Sequence, residues 1–173
     1  MAGADITLVR VPGAKAKNFF RDPRFYQALD DRYELVVLWL GSNDIAVDTQ
    51  VGDVLACLGD IVNAIKERCK AIVQVCLIEP RVRRPGITSR DRTFNEKYKI
   101  VARHINRRLT RYCKGCRVLN FAGDFFESCL AEDGVHFNRL GRELVRDKLK
   151  SAIEYKVADW AAVHGMGGFW PAE

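Results

Sequence analysis

The six consecutive apolar residues Leu35-Val36-Val37-Leu38-Trp39-Leu40 constrain this chain more than any other feature. The run is too short for a helix that must hide all its faces. It is rich in β-formers and broken at once by Gly41-Ser42-Asn43-Asp44. An uninterrupted apolar run of this length is the signature of a strand covered on both faces, which is the condition of a parallel sheet. Ala71 to Ile78 reads as another buried strand, stopped by Glu79-Pro80. Between the two, Val51, Val54, Leu55, Leu58, Ile61, Val62 and Ile65 recur with helical period, predicting a helix over Thr49 to Lys70. Strand, helix, strand in this order calls for a crossover that packs on the sheet.

The pattern continues in both directions. Ile6 to Val11 reads as a short strand closed by Pro12-Gly13, followed by a helical stretch over Ala14 to Phe20 and a second short helix opened by Pro23. Asp91 to Tyr112 carries the apolar stripe Phe94, Tyr98, Val101, Ile105 and Leu109, with Arg103, Arg107, Arg108 and Arg111 largely off it. A last short strand is expected at Arg117 to Phe121, a helical turn at Asp124 to Leu130, and a final helix from Asn138 or Arg139 to about Val163. The expected architecture is a single α/β domain over residues 1–164 with a loose tail at 165–173. No apolar run approaches the ~18 residues of a membrane span.

Six scattered cysteines, mostly in apolar surroundings, point to reduced thiols in a cytoplasmic setting. Cys113 and Cys116 form a C-x-x-C, half a zinc site or a redox pair, with nothing elsewhere to complete a metal site. The first residues, Met-Ala-Gly-Ala-Asp-Ile, lack the basic-then-apolar pattern of a secretion signal. Charge is regional. Arg81 to Arg117 holds thirteen Lys or Arg against two acids, a net of +11 in a chain whose total is +6. That segment is either a solvated helix face with a charged loop or a surface for an acidic partner or nucleic acid, with Arg83, Arg84, Arg103, Arg107, Arg108 and Arg111 as candidate contacts. Phe94, Tyr98 and Tyr112 are available for stacking on that reading.

In open parallel sheets, ligands bind beyond the carboxyl ends of the strands. Three such loops carry suggestive residues. An Asp three residues before a His, as in Asp133-Gly134-Val135-His136, can bond the imidazole Nδ1 and leave Nε2 as a general base, or it can be a capping Asp beside a surface His. Asn43, at the mouth of the apolar strand, is a candidate donor to an oxyanion, or an Asx-turn residue. Gly13 can bring a backbone N–H to the same oxygen, or serve only the turn.

Taken in order, these pieces resemble the SGNH (GDSL-type) hydrolase family. Leu38-Trp39-Leu40-Gly41-Ser42-Asn43-Asp44 matches the family's third block and Asp133-Gly134-Val135-His136-Phe137-Asn138 its fifth; Val11-Pro12-Gly13-Ala14 is a poorer match to the second. The wording also resembles esterase-like domains encoded by some animal retroelements. The resemblance implies a three-layer, flavodoxin-like parallel sheet flanked by helices. It implies His136 as base, Asp133 as its orienter, and Gly13 and Asn43 as oxyanion donors, acting on a small ester through an acyl-enzyme with no metal or cofactor. The family's first block, a strand ending in the Gly-Asp-Ser nucleophile, has no counterpart: no Gly-Asp-Ser occurs, and no serine precedes Gly13. Two expectations follow. The chain is a fragment or a catalytically impaired relative, with Ser42 as a conceivable replacement nucleophile, and its sheet lacks a central strand. Either the strands at Ile6–Val11 and Leu35–Leu40 then pair directly, or an edge stays open to self-association or a partner. The alternative function is a noncatalytic, RNA-binding module built on the basic segment.

Overall fold

The computed structural model describes residues 7–9, 11–45, 49–79, 81–82, 88–120 and 127–163, with side chains given for all but Ser89, Glu127 and residues 155–163. Helices α1 (Ala16–Phe20) and α2 (Pro23–Gln27) precede strand β1 (Leu35–Leu38); helix α3 (Val51–Arg68), strand β2 (Ile72–Cys76), helix α4 (Ser89–Tyr112), strand β3 (Arg117–Leu119) and helix α5 (Arg139–Val163) follow. Single 3-10 turns lie at Ser42–Asp44 and Glu127–Cys129. The three strands form one parallel sheet in the order β1-β2-β3. Val37 sits beside Gln74, and Gln74 beside Arg117.

The strands are largely apolar because both faces are covered. Val73 and Val75 enter a large core with Leu55, Leu58, Ile61, Val62 and Ile65 of α3 and Tyr98, Ile105 and Leu109 of α4. Each such fully buried aliphatic side chain contributes about 1.5–3 kcal/mol of transfer free energy. Cys76, on the opposite face, joins a smaller cluster with Val37, Trp39, Leu119, Leu144, Val145 and Leu149 under α5. The result is the three-layer helix–sheet–helix architecture expected from the sequence.

Local signals place the ends. Asp22 caps α2, with Pro23 in its first turn. A reciprocal Thr88–Asp91 capping box starts α4 two residues ahead of the expected Asp91. Beyond β2, Asn106 on α4 accepts from the Ile78 N–H at 2.8 Å and donates to the Ile78 carbonyl at 3.0 Å, so a side-chain amide satisfies the backbone where the sheet ends.

One expected element is absent. Thr7, Leu8, Val9 and Val11 are not in a strand, and Leu8 is 74% exposed; Ile6 and Arg10 lie outside the described residues. Nothing among the described residues pairs with β1 on its outer side. A strand is held by its ladder, and this segment does not reach the open edge of β1 to form one. Of the expected turn at Asp124–Leu130, residues 127–129 form the 3-10 turn and 124–126 lie outside the described residues, as does the 165–173 tail. The C-x-x-C falls in the turn after α4: the Cys113 N–H closes the helix on the Leu109 carbonyl, and Gly115 takes a positive φ of 66°. All six cysteines are free thiols, and burial raises the Cys113 thiol to about 12. No helix of the structure is long and apolar enough to cross a membrane among the described residues.

Candidate active site

The Asp133–His136 loop is a tight reversal between the Glu127–Cys129 turn and α5. An antiparallel bridge joins Leu130 to Phe137, and the Ala131 N–H donates to the His136 carbonyl at 2.7 Å. Asn138 locks the exit. Its Nδ2 donates to the Ser128 and Leu130 carbonyls, and its Oδ1 accepts the Gly141 N–H at 3.0 Å. Gly141 allows the close approach: a Cβ there would collide with the Cys129 carbonyl and press on the Phe137 ring. Within the loop, Asp133 Oδ1 accepts from the Val135 and His136 N–H groups at 2.9 and 3.0 Å, and its Oδ2 lies 2.5 Å from His136 Nδ1. The imidazole partner, reinforced by these two backbone donors, holds the Asp133 carboxyl well below the usual carboxylate range. The His136 side chain is 80% exposed. The ring is therefore oriented from one side and open to solvent, the geometry of a base awaiting a substrate or a nucleophile.

The second half of the site sits at the end of β1. Gly41 turns the chain with a φ of 111°, and the 3-10 turn Ser42–Asp44 follows. Asp44 accepts the Ala16 N–H with both oxygens, fixing the start of α1, and burial raises its carboxyl above the ordinary value. Asn43 Nδ2 donates to the Ala14 carbonyl at 3.3 Å. Ala14 follows Gly13, whose φ of 68° and place in a turn closed by Ala14 N–H to the Val11 carbonyl suit a residue without Cβ. Asn43 is thus brought beside the Gly13–Ala14 turn, and its second Nδ2 hydrogen remains for another acceptor.

The residues that tie the two halves together were not singled out in the sequence. Arg81 donates to Asn43 Oδ1 at 3.0 Å, to Ser42 Oγ at 2.9 Å and to Glu79 Oε1 at 3.2 Å. Glu79 is 4% exposed; its other oxygen accepts from Trp39 Nε1 at 3.0 Å, and its carbonyl accepts from the Tyr98 hydroxyl at 3.1 Å. One residue on, the Val82 N–H donates to the Gly134 carbonyl at 2.8 Å, inside the Asp133–His136 loop. Trp39 also packs its ring on Phe137, 5.7 Å between centroids. Glu79, Arg81 and Val82 thus bridge the Ser42–Asn43 turn and the Asp133–His136 loop. The only sequence signal was a pair of opposite charges flanking Pro80 just past a buried strand, which reads equally as a strand stop and a loop.

This network bears on Ser42. Its hydroxyl is buried against Arg81 rather than bonded to His136, so the serine is a structural partner of the guanidinium. No cluster of three or more His, Cys, Asp or Glu side chains suited to a metal ion occurs among the described residues.

The basic candidates separate. Arg103, Arg107, Arg108 and Arg111 are exposed on α4, while Arg83 and Arg84 lie outside the described residues. Phe94 packs against the core and Tyr98 is buried in it, which removes both as stacking platforms; Tyr112 is 42% exposed.

A family model described as GDSL-like lipase/acylhydrolase matches residues 2–144. No curated protein matches the chain. Among solved structures, a GDSL-like lipase from Bacteroides thetaiotaomicron is similar at a TM-score of 0.65 with 19% identity, covering 83% of this chain and 72% of that one. An acetyl xylan esterase is similar at 0.59 with 19% identity, covering 83% and 78%. The OSK domain of Drosophila Oskar is similar at 0.58 with 14% identity, covering 83% and 72%. At these identities the structural likenesses speak for the fold.

Proposed function

The chain belongs to the GDSL-like lipase/acylhydrolase family, and from that premise we propose that its 173 residues carry the acid–base and oxyanion parts of an ester-hydrolase site and are catalytically impaired as they stand. The observation that carries the reading is the Asp133–His136 pair: Nδ1 held by a carboxylate, Nε2 free. In ester hydrolysis of this kind a serine oxygen attacks the carbonyl carbon while His136 Nε2 takes its proton. The Asn43 amide and the Gly13 N–H receive the oxyanion, and the alcohol leaves with the proton from His136. Water then attacks the acyl-enzyme by the same route. Arg81 on Asn43 Oδ1 polarises that amide and makes Nδ2 the better donor. The sequence holds no Gly-Asp-Ser, and Ser42 is committed to Arg81. We read the narrower kinship, with retroelement-encoded esterase-like domains, from the wording of the third and fifth blocks alone, and the cytoplasm as the setting of its free thiols.

The test is hydrolysis of a short-chain aryl ester by the folded chain beside His136→Ala and Ser42→Ala. The expected result is no turnover above the His136→Ala background. Turnover lost in both variants would establish Ser42 as the nucleophile and overturn the impairment. Turnover kept in His136→Ala would overturn the assignment of the base.

A second reading rests on the exposed arginine face of α4. Arg103, Arg107 and Arg111 fall at i, i+4 and i+8, about 6 Å apart along the helix, with Arg108 and Lys99 beside them and Glu96 the one acid on that surface. Like charges at this spacing destabilise a helix slightly and suit a polyanion. A nucleic acid is the partner this face fits. Arg107→Ala with Arg108→Ala lowers affinity for RNA and flattens its salt dependence; unchanged affinity across a salt series would sink the reading. Self-association through the outer side of β1 is checked by sedimentation: a monomer at all concentrations rules it out.

A further inference from the structure

The face of α4 turned away from the core carries two parallel side-chain rows of different chemistry. Tyr98, Ala102, Ile105 and Leu109 are buried, which turns Arg103, Arg107 and Arg111 outward at i, i+4 and i+8. The neighbouring row, with the same spacing, is Ile100, His104, Arg108 and Tyr112, and every member of both rows is exposed. The four arginines make no side-chain ion pair or hydrogen bond among the described residues. No acid stands between Glu96 and Asp124 in the sequence to neutralise them. Ile100 is 55% exposed and Tyr112 42%, at the two ends of the second row. Past Arg111, Lys66 Nζ holds the turn through the Lys114 carbonyl, which leaves the exposed Lys114 side chain at the end of the first row. α4 runs from the carboxyl end of β2 back to the amino end of β3, so both rows, on its second half, lie away from the Asp133–His136 loop.

These rows select a ligand. A single exposed Ile or Tyr says little; two of them on one row beside unpaired arginines ask for charge and apolar surface side by side. A duplex shows its phosphates and keeps its base faces stacked inside, so it matches the arginine row and leaves Ile100 and Tyr112 uncovered. An acidic peptide brings carboxylates without a flat apolar edge. An unpaired strand carries both chemistries, a charged backbone along one edge and base faces along the other. We propose that this face binds single-stranded nucleic acid, with the backbone along Arg103, Arg107 and Arg111 and the bases over Ile100, His104 and Tyr112, one of them stacked on the Tyr112 ring. The inference rests on the α4 reading above and narrows it from any nucleic acid to an unpaired strand.

The experiment follows the fluorescence anisotropy of a labelled, mixed-sequence RNA of about 12 nucleotides, single-stranded or annealed to its complement, on titration with the full 173-residue chain. At ~0.15 M salt the single strand is expected to bind about fivefold or more tightly than the duplex, the least that one stacked base supplies. Tyr112→Leu lowers single-strand affinity by about five- to hundredfold and leaves duplex affinity and the salt slope unchanged. Tyr112→Phe, which keeps the ring, retains the affinity, and an unchanged far-UV circular dichroism spectrum shows that both variants fold. Arg103→Ala, by contrast, flattens the salt slope by about 0.7, the share of one phosphate contact on a single strand. Equal affinity for strand and duplex, or a Tyr112→Leu protein that binds the strand as the parent does, overturns the proposal; the broader α4 reading survives that result if Arg107→Ala with Arg108→Ala still weakens both forms. Binding of neither form removes both. Single-stranded DNA of the same sequence separates the sources: binding equal to that of the RNA assigns the face to either strand, and binding lost assigns it to RNA.

Discussion

Replacing Arg81 with methionine tests the bridge between the two halves of the site. Met keeps much of the aliphatic volume and removes three hydrogen bonds, to Glu79, Ser42 and Asn43. The Glu79 side chain is 5% exposed, so the loss leaves a buried carboxylate with Trp39 Nε1 as its remaining side-chain donor. Breaking a buried pair from one side costs about 3–5 kcal/mol, because the partner stays buried and uncompensated. Glu79→Gln, which keeps shape and an acceptor for Trp39, is expected to cost about 1–2 kcal/mol. The two residues share one contact, so their effects do not add. Glu79→Gln with Arg81→Met falls short of the summed single losses by about 1–3 kcal/mol. Urea unfolding followed by far-UV circular dichroism measures all four proteins. At an m-value of ~2 kcal/mol/M, Arg81→Met lowers the midpoint by about 1.5–2.5 M. A loss below about 1 kcal/mol for Arg81→Met, or single effects that simply add, would refute the argument that this network is buried and coupled.

Gly141→Ala drives a methyl into the Cys129 carbonyl and the Phe137 ring, so it costs about 1–3 kcal/mol and disturbs the His136 resonances more than those of α3, a contrast visible in an NMR spectrum. Asn106→Leu strips the paired donor and acceptor from Ile78 at the end of β2 and is expected to cost about 2–4 kcal/mol by urea unfolding. Stability falls as pH rises through the alkaline range. The Cys113 thiol stays protonated in the native state up to about 12, while in the unfolded chain it ionises near the ordinary 9.0, so the unfolded state binds fewer protons between those values. Burial raises the Cys76 thiol and the Tyr98 hydroxyl as well, which adds to the same slope. A urea midpoint as high at pH ~10.5 as at pH ~8 would contradict this.

The layers of the fold were legible because they depend on local pattern. The helical period over Thr49–Lys70 puts Leu55, Leu58, Ile61, Val62 and Ile65 on one face whatever they pack against, and α3 buries those residues. The largely apolar runs at Leu35–Leu40 and Ala71–Ile78 could satisfy their side chains only inside a covered sheet, and both became strands. The Ile6–Val11 run failed as an expectation for the complementary reason: a strand is stable through its neighbour, and sequence pattern cannot supply one. The Asp133–His136 pair was legible because three residues separate its members, and a short loop leaves few ways for them to meet.

Apart from the segment Ile6–Val11, sequence alone thus determined which segments are strands and helices, which side chains they bury, and that a carboxylate stands within reach of an imidazole. Tertiary structure decided the rest: that Ser42 and Asn43 meet Arg81 across 39 and 38 residues, and that Trp39 meets Glu79 across 40. The physical reason is that a buried polar group must find its partner wherever the packed chain brings one. Periodicity records which residues avoid water, and it carries no record of which distant donor meets which acceptor once water is gone.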